Sequence, residues 1–266
     1  MSAFAGKAIV LTGASDGIGA ELARQLAAPG VSLALAARNV ERLEAVRKEC
    51  EARGARAVAI RCDVGVEADC RALIERAAAE MGGIDILVNN AGVSGHAFLE
   101  EVNDFRWYED MMRVNFFGTL WCSRHALPHL RARRGLVVGV SSLAGKHGIP
   151  GRTAYSPSKF AQSGFLEALR VELLGSGVDV MAAFPGVVAT DIRLHGYGPD
   201  GRPAGKSGLD ERGAMPVEEC ARLIRDGMAR RSREVVMTAR GRLGQWIKLL
   251  APSLVDRMTL RALKKH

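Results

Sequence analysis

Short apolar runs alternate with longer amphipathic segments along almost the whole chain. Seven runs are rich in Val, Ile, Leu and Ala at consecutive positions: KAIVLT, VSLALAA, ARAVAIRCDV, DILVNNAG, GLVVGVSS, VDVMAAFPG and REVVMT. Such runs predict strands buried on both faces, as in a parallel sheet covered by helices. The amphipathic segments predict helices over residues 18–28, 40–53, 67–81, 105–131, 155–174 and 216–229.

This alternation predicts an α/β fold of the Rossmann type, a doubly wound seven-stranded parallel sheet with helices on both faces. The length of 266 residues and the absence of a Ser- or Pro-rich linker favour a single domain, which we place over residues 1–240. A glycine-rich segment at about 187–215 departs from the alternation. Long loops of this kind in compact domains are usually functional or disordered.

The net charge of +8 is concentrated at the end of the chain. From Met228 onward ten basic residues face two acidic ones, and residues 241–266 combine this charge with apolar residues at helical spacing. We predict a basic amphipathic extension that docks over a pocket or a partner subunit, contacts an anionic membrane surface peripherally, or forms a loosely solvated helix. Nucleic-acid binding is not expected, because no recognition motif accompanies the basic residues.

Composition places the chain among ordinary globular proteins, with 48% hydrophobic and 25% charged residues. No apolar run approaches the roughly 18 residues of a membrane span. A strand-like run begins by Lys7, which leaves no room for a signal peptide. The five cysteines lack metal or redox spacing and suit buried thiols in a reducing compartment. We therefore expect a cytoplasmic protein without a metal site, with peripheral membrane contact as an option.

A glycine-rich turn joins the first predicted strand to the first helix in IVLTGASDGIGAELARQL. Gly13, Gly17 and Gly19 let the backbone approach a pyrophosphate at the helix N-terminus, with Ser15, Asp16 and Ile18 between them. Such turns also serve simple connections. The position of this one in the first strand–helix unit of an alternating chain favours nucleotide binding.

The end of the second strand, LALAARN, indicates which nicotinamide cofactor is bound. Enzymes that use NAD usually carry an acid here for the ribose hydroxyl, whereas this chain has Ala37 followed by Arg38. A guanidinium matches the 2′-phosphate of NADP in charge and geometry. Arg38 could also be a solvated loop residue. We predict NADP(H) as the cofactor, with NAD(H) less favoured.

Six more motifs follow the glycine turn in order: CDV, NNAG, VNFFG, SS, YSPSK and PGVVAT. With TGASDGIG they make the chain resemble the short-chain dehydrogenase/reductase family over about residues 5–240. The resemblance implies homodimers or homotetramers formed through the helices of 105–131 and 155–174, and a substrate lid in the glycine-rich loop. It implies further cofactor contacts from Asp63, Val64, Asn90, Ala91, Gly92, Pro185, Gly186, Val188 and Thr190.

Tyr155 and Lys159 stand four residues apart at the start of a predicted helix, so their side chains share one face. Alone, this pair could be a packed ring beside a snorkelling lysine. A nearby ammonium would lower the pKa of the phenol and make it a usable acid or base. By resemblance, Tyr155 is the general acid/base and Lys159 also holds the nicotinamide ribose. The resemblance further implies that Ser142 holds the substrate oxygen and that Asn115 links to Lys159 through water.

The predicted function is NADP(H)-dependent interconversion of a carbonyl and an alcohol on a lipophilic small molecule. The extension resembles branches of the family that act on steroids, retinoids and other lipophilic carbonyls, and departs from the branch that reduces 3-oxoacyl thioesters. A 3-oxoacyl-thioester reductase and a non-catalytic NADPH-binding sensor or scaffold remain alternatives. His96, His147, His195 and Tyr197 receive no assigned role.

Overall fold

A computed structural model describes residues 3–205 and 212–263. Its sheet has seven parallel strands in the order β3-β2-β1-β4-β5-β6-β7, as the alternation predicts. The central neighbours β1 and β4 are the point at which the strand order reverses, and such folds bind ligands there. The strands are β1 (Ala8–Thr12), β2 (Ser32–Ala37), β3 (Arg56–Arg61), β4 (Ile86–Asn89), β5 (Leu136–Val140), β6 (Asp179–Phe184) and β7 (Glu234–Val236).

The sheet separates two hydrophobic cores. Ile9 and Leu11 of β1 point into one of them, and Val10 between them points into the other. Every residue of β1, β4 and β5 is buried, which explains why these strands are apolar at consecutive positions instead of alternating.

Helices cover both faces of the sheet and agree closely with five of the six predicted segments. These helices carry charged residues on the side that faces solvent and apolar residues on the side that faces the sheet. This arrangement explains the amphipathic pattern of the sequence. Their bounds are α1 (Gly17–Leu26), α2 (Val40–Ala52), α3 (Glu67–Met81), α4 (Arg106–Met112), α5 (Gly118–Arg133), α6 (Tyr155–Glu172), α7 (Val217–Ala229), α8 (Ala239–Leu250) and α9 (Pro252–Leu263).

The sixth predicted helix, over 105–131, is wrong as one continuous α-helix. A five-residue π-helical turn, Arg113–Phe117, separates α4 from α5. Asn115 lies inside this turn, and its side chain pairs with the backbone of Val93 instead of pointing along a regular helix face. Such turns are rare within helices and frequent at functional sites.

The glycine-rich segment is more ordered than a structureless loop. Tyr197 donates its amide to the carbonyl of Ser94, and its own carbonyl accepts the amide of His96. Met215 exchanges backbone hydrogen bonds with the chain around Val188. The part of the predicted lid at 206–211 lies outside the described residues.

The basic extension forms α8 and α9. Lys248 donates to the carbonyl of Lys146 at 2.7 Å, and a Cβ at Gly241 would lie 2.6 Å from Leu143, so α8 packs on the segment that follows β5. Trp246, Leu249 and Leu250 remain exposed. No helix within the described ranges is long and apolar enough to cross a bilayer. The five cysteines are buried free thiols, as expected.

Candidate active site

A cavity of about 640 Å³ opens at the carboxyl ends of the strands. Its volume lies within the range of small-molecule and cofactor sites. All of the residues predicted to bind a cofactor lie in its lining, and Ser142 lies there with them. The sheet topology therefore brings together residues that are up to 177 positions apart, from Gly13 to Thr190.

The glycine turn leaves no space for side chains at two of its positions. A Cβ at Gly19 would lie 2.1 Å from the carbonyl oxygen of Gly13, and a Cβ at Gly13 would lie 2.7 Å from Cα of Ala91. Gly13 and Gly17 also adopt positive φ angles of 66° and 51°. The result is a bare backbone surface at the N-terminus of α1, which fits a pyrophosphate group.

A hydrogen-bonded junction ties the ends of β1 and β4 together. The hydroxyl of Thr12 accepts the backbone amides of Asn90 and Ala91 at 3.1 Å each. In return, the side-chain amide of Asn90 donates to the carbonyls of Thr12 and Gly13. This junction fixes the glycine turn relative to the NNAG segment, so Asn90 has a structural duty that the sequence did not indicate.

Arg38 lies at the rim of the cavity, exposed, directly after β2. Asp16 of the glycine turn caps α1 by accepting the amide of Gly17, and it also pairs with Arg42 at 2.9 Å. Arg42 was missed from the sequence because 26 residues separate it from Asp16. A second arginine therefore lies beside the turn, its charge engaged by Asp16.

Tyr155 begins α6, and its phenol lies close enough to the hydroxyl of Ser142, two residues beyond the end of β5, for Ser142 to affect its pKa. Burial raises the pKa of Tyr155, while the charge of Arg152, the hydrogen bond with Ser142 and the charge of Arg193 lower it. The spacing of Tyr155 and Lys159 in the sequence predicts that Lys159 lowers the pKa of the phenol. In the structure the cations that act on the phenol are Arg152 and Arg193, because the Lys159 ammonium lies 6.0 Å from the centre of the ring and points elsewhere.

The ammonium of Lys159 is buried behind Tyr155. It donates to the carbonyl of Val140 at 3.0 Å and to the side chain of Gln162 at 3.2 Å. Gln162 is held in turn by donating to Thr119. Burial lowers the pKa of Lys159 to about 8, and among the residues that the structure describes no acidic group compensates its charge.

Asn115 does not contact Lys159 directly. Its side chain accepts the amide of Val93 at 2.8 Å and donates to the carbonyl of Val93 and to the hydroxyl of Ser158. Both residues border the space above Gly92, where a Cβ would lie 3.1 Å from Oδ1 of Asn115 and 3.4 Å from Nζ of Lys159. The absence of a side chain at Gly92 keeps this space open between them.

Of the residues without an assigned role, His195 lines the cavity, whereas His96, His147 and Tyr197 do not. Arg152 and Arg193 also line it and were missed, because nothing in the sequence separates a buried arginine from a solvated one. Within the described ranges no cluster of His, Cys, Asp or Glu could hold a metal ion.

The family profile described as short chain dehydrogenase matches residues 7–195. Similar curated proteins include an 11-beta-hydroxysteroid dehydrogenase of Pinus massoniana, which is 36% identical over 94% of this chain and 72% of its own length. A Dictyostelium discoideum protein named "Dehydrogenase/reductase SDR family protein 7-like" is 31% identical over 97% of this chain and 82% of its own length.

Two solved structures resemble the fold over most of its length. An alcohol dehydrogenase of the archaeon Thermococcus sibiricus, complexed with 5-hydroxy-NADP, superimposes with a TM-score of 0.74 at 28% identity, covering 86% of this chain and 94% of that one. A dehydrogenase/reductase of Sinorhizobium meliloti 1021 gives a TM-score of 0.76 at 30% identity, covering 87% and 93%. The chain belongs to the short-chain dehydrogenase/reductase family of oxidoreductases.

Proposed function

We propose that the protein is an NADP(H)-dependent oxidoreductase that interconverts a carbonyl and an alcohol on a lipophilic small molecule. The observation that carries the proposal is the grouping of the Tyr155 phenol and the Ser142 hydroxyl in one cavity wall, next to the buried ammonium of Lys159. A substrate carbonyl oxygen placed between these two side chains would be next to two hydroxyl groups. The Ser142 hydroxyl can hold this oxygen, and the Tyr155 phenol can give it a proton.

The glycine turn, Arg38, Asp63 and the NNAG segment would hold the cofactor, and Lys159, Val188 and Thr190 would hold its nicotinamide half. Bound there, NADPH supplies a hydride. Ser142 positions the substrate oxygen and stabilises the charge that develops on it. Tyr155 donates the proton in reduction and accepts it in oxidation.

In this proposal, Lys159 and Asn115 relay protons to Tyr155. The small space above Gly92 separates the two side chains, and a water molecule there would be within reach of both. Asn115 is suited to this role because its fixed bonds to Val93 orient its amide. The interruption of the helix at 113–117 places the amide there.

The lipophilic substrate is supported by the apolar side chains of Leu143, Ile149 and Ile192 in the cavity lining. The packing of α8 against Leu143 supports one wall of the cavity, so the extension contributes to the site. Similar proteins named 11-beta-hydroxysteroid dehydrogenase favour this class over 3-oxoacyl thioesters. The intact Ser–Tyr–Lys–Asn set speaks against a non-catalytic NADPH sensor.

We also propose that the protein forms a homo-oligomer in the cytoplasm. Phe105, Phe117, Phe160 and Val171, on or beside α4–α6, are exposed apolar side chains. Helices of this position are the ones through which the resemblance implies dimers and tetramers. Burial of these side chains between copies would remove apolar surface from water.

Replacement of Tyr155 by Phe keeps the ring and removes the proton donor. We expect turnover of ketones with NADPH to fall about 100- to 10,000-fold, which is the usual contribution of a general acid. The dissociation constant of NADPH should change less than about threefold. Steady-state kinetics and fluorescence titration measure the two quantities.

Tyr108→Phe is the matched control, since its hydroxyl bonds Thr153 outside the cavity lining. It should retain full turnover. Unchanged turnover in Tyr155→Phe would exclude the proposed chemistry.

Replacement of Arg38 by Ala tests the cofactor. Charged hydrogen bonds to the 2′-phosphate would be lost, so the dissociation constant of NADPH should rise about 10- to 100-fold while that of NADH changes little. Arg71→Ala on α3, a largely exposed arginine outside the cavity, should affect neither. Equal losses for both cofactors in Arg38→Ala would contradict recognition of the phosphate.

The charge of Lys159 is testable through stability. Its pKa is about 8 in the folded protein and 10.5 when exposed, so the unfolded chain holds more protons between these values and the burial penalty disappears as the pH rises through them. The free energy of unfolding of wild type relative to Lys159→Met should therefore increase by about 3 kcal/mol between about pH 7 and pH 10.5. Urea denaturation measures it.

Lys48→Met, which removes an exposed lysine from α2, is the control and should leave the pH profile parallel to that of wild type. A parallel profile for Lys159→Met as well would mean that the ammonium of Lys159 is not desolvated.

A further inference from the structure

A buried arginine lies beside Tyr155 in the cavity wall. Arg152 is 4% exposed, and its guanidinium carbon lies 5.3 Å from the centre of the Tyr155 ring. Its Nη1 donates to the hydroxyl of Ser94 at 2.9 Å, and Ser94 lines the same cavity. The charge of this arginine therefore lies next to the proposed proton donor instead of at the surface.

Arg152 has no acidic partner in the described part of the chain. The titratable groups that act on it are Tyr155 and Arg193, and the positive charge of Arg193 repels it. Its Nε is buried without a hydrogen-bond partner. Burial, with this repulsion, lowers the pKa of Arg152. A buried cation is normally paired with an anion, and Arg152 has none among the described residues.

The neighbours of Arg152 do not supply that anion. His96 lies close by, and burial and the charge of Arg152 lower its pKa, but an imidazole is neutral or cationic and supplies no negative charge. Asp191 lines the cavity without an ion pair to Arg152. The remaining neighbours in the lining include the apolar Ile149 and Ile192.

We propose that Arg152 binds a carboxylate group of the substrate, which is therefore an oxo acid, or the corresponding hydroxy acid, with an apolar body. A guanidinium presents a planar fork of donors that matches a carboxylate. Since the guanidinium lies beside the ring of Tyr155, the carboxylate of the substrate would be separated from its reacting carbonyl by only a few carbon atoms. The inference rests on the proposed carbonyl chemistry and names the class of substrate on which that chemistry acts.

The competing explanation is structural. Arg152 could serve to stack against Tyr155 and to hold the Ser94 segment, since cations pack favourably on aromatic rings. In that case its loss would impair acidic and neutral substrates alike. The two explanations therefore separate when one acid and its neutral derivative are compared.

The experiment measures kcat/KM with NADPH for benzoylformate and for 3-benzoylpropionate, each beside its methyl ester. For the acid with the higher kcat/KM, the wild-type value should exceed that of its methyl ester by about 10- to 100-fold. This is the usual contribution of hydrogen bonds to a charged group. Arg152→Met should lose this preference, so that kcat/KM for the acid falls by about 10- to 100-fold more than kcat/KM for the ester. The loss of the Arg152 charge beside Tyr155 acts on both substrates alike and cancels in this ratio.

Two further variants complete the comparison. Arg131→Met removes an exposed arginine of α5 outside the cavity and should behave as wild type. Arg152→Lys keeps the charge without the fork and should retain part of the preference for the acid, and it replaces Arg152→Met if that variant does not fold. Equal activity of wild type on acids and esters, or equal losses on both in the Arg152 variants, would overturn the proposal.

A separate binding experiment distinguishes failure of this inference from failure of the proposed function. Calorimetry with the full chain loaded with NADP+ compares 4-phenylbutanoate, which has no carbonyl to reduce, with 4-phenylbutanamide. If wild type binds the acid, Arg152→Met does not and Tyr155→Phe still does, the result supports the carboxylate site even when no compound is turned over. Turnover of neutral ketones without a preference for the acid in binding would leave the function standing and reject the carboxylate site.

Discussion

The junction between β1 and β4 is the constraint on which the site depends. Thr12 and Asn90 exchange hydrogen bonds across the two strand ends, and Gly13 and Gly19 fit beneath them with no space for a Cβ. The sheet reverses its strand order at this point, so the loops diverge and leave a cleft. A phosphate-binding turn at this cleft needs both the bare backbone of the glycines and a rigid neighbour to hold its shape, and the Asn90 side chain provides the second.

The proposed catalytic groups depend on the same sheet, at the end of the neighbouring strand β5. Ser142 follows β5, and Tyr155 and Lys159 begin α6, which packs across the sheet so that Lys159 reaches the carbonyl of Val140 at the end of β5. The phenol is therefore fixed relative to Ser142 by hydrogen bonds of the backbone and of Lys159, not by its own contacts alone. Its pKa reflects a competition in which burial raises it and the nearby cations and Ser142 lower it.

The periodicity of the sequence predicts the fold and its seven strands, and the short motifs at strand ends predict some of the residues that line the cavity. Contacts that join distant positions leave no such pattern in the sequence. Asn115, inside the π-helical turn at 113–117, bonds Val93, and the pair of Asp16 and Arg42 joins the N-terminal cap of α1 to the first turn of α2. Burial of Arg152 could not be predicted, because a lone arginine before a helix is usually solvated. The effect of Lys159 on Tyr155 was inferred from spacing, whereas the structure turns the ammonium toward Val140 and Gln162.

In the proposed reaction, a carbonyl held between Ser142 and Tyr155 would receive a hydride from NADPH. Transfer of deuterium from NADPH labelled at the nicotinamide C4 to a ketone or oxo acid tests it most directly, with mass spectrometry of the product. The product formed by wild type should carry deuterium on its carbinol carbon. Tight binding of NADPH without label in any product, across neutral ketones and oxo acids alike, would contradict it.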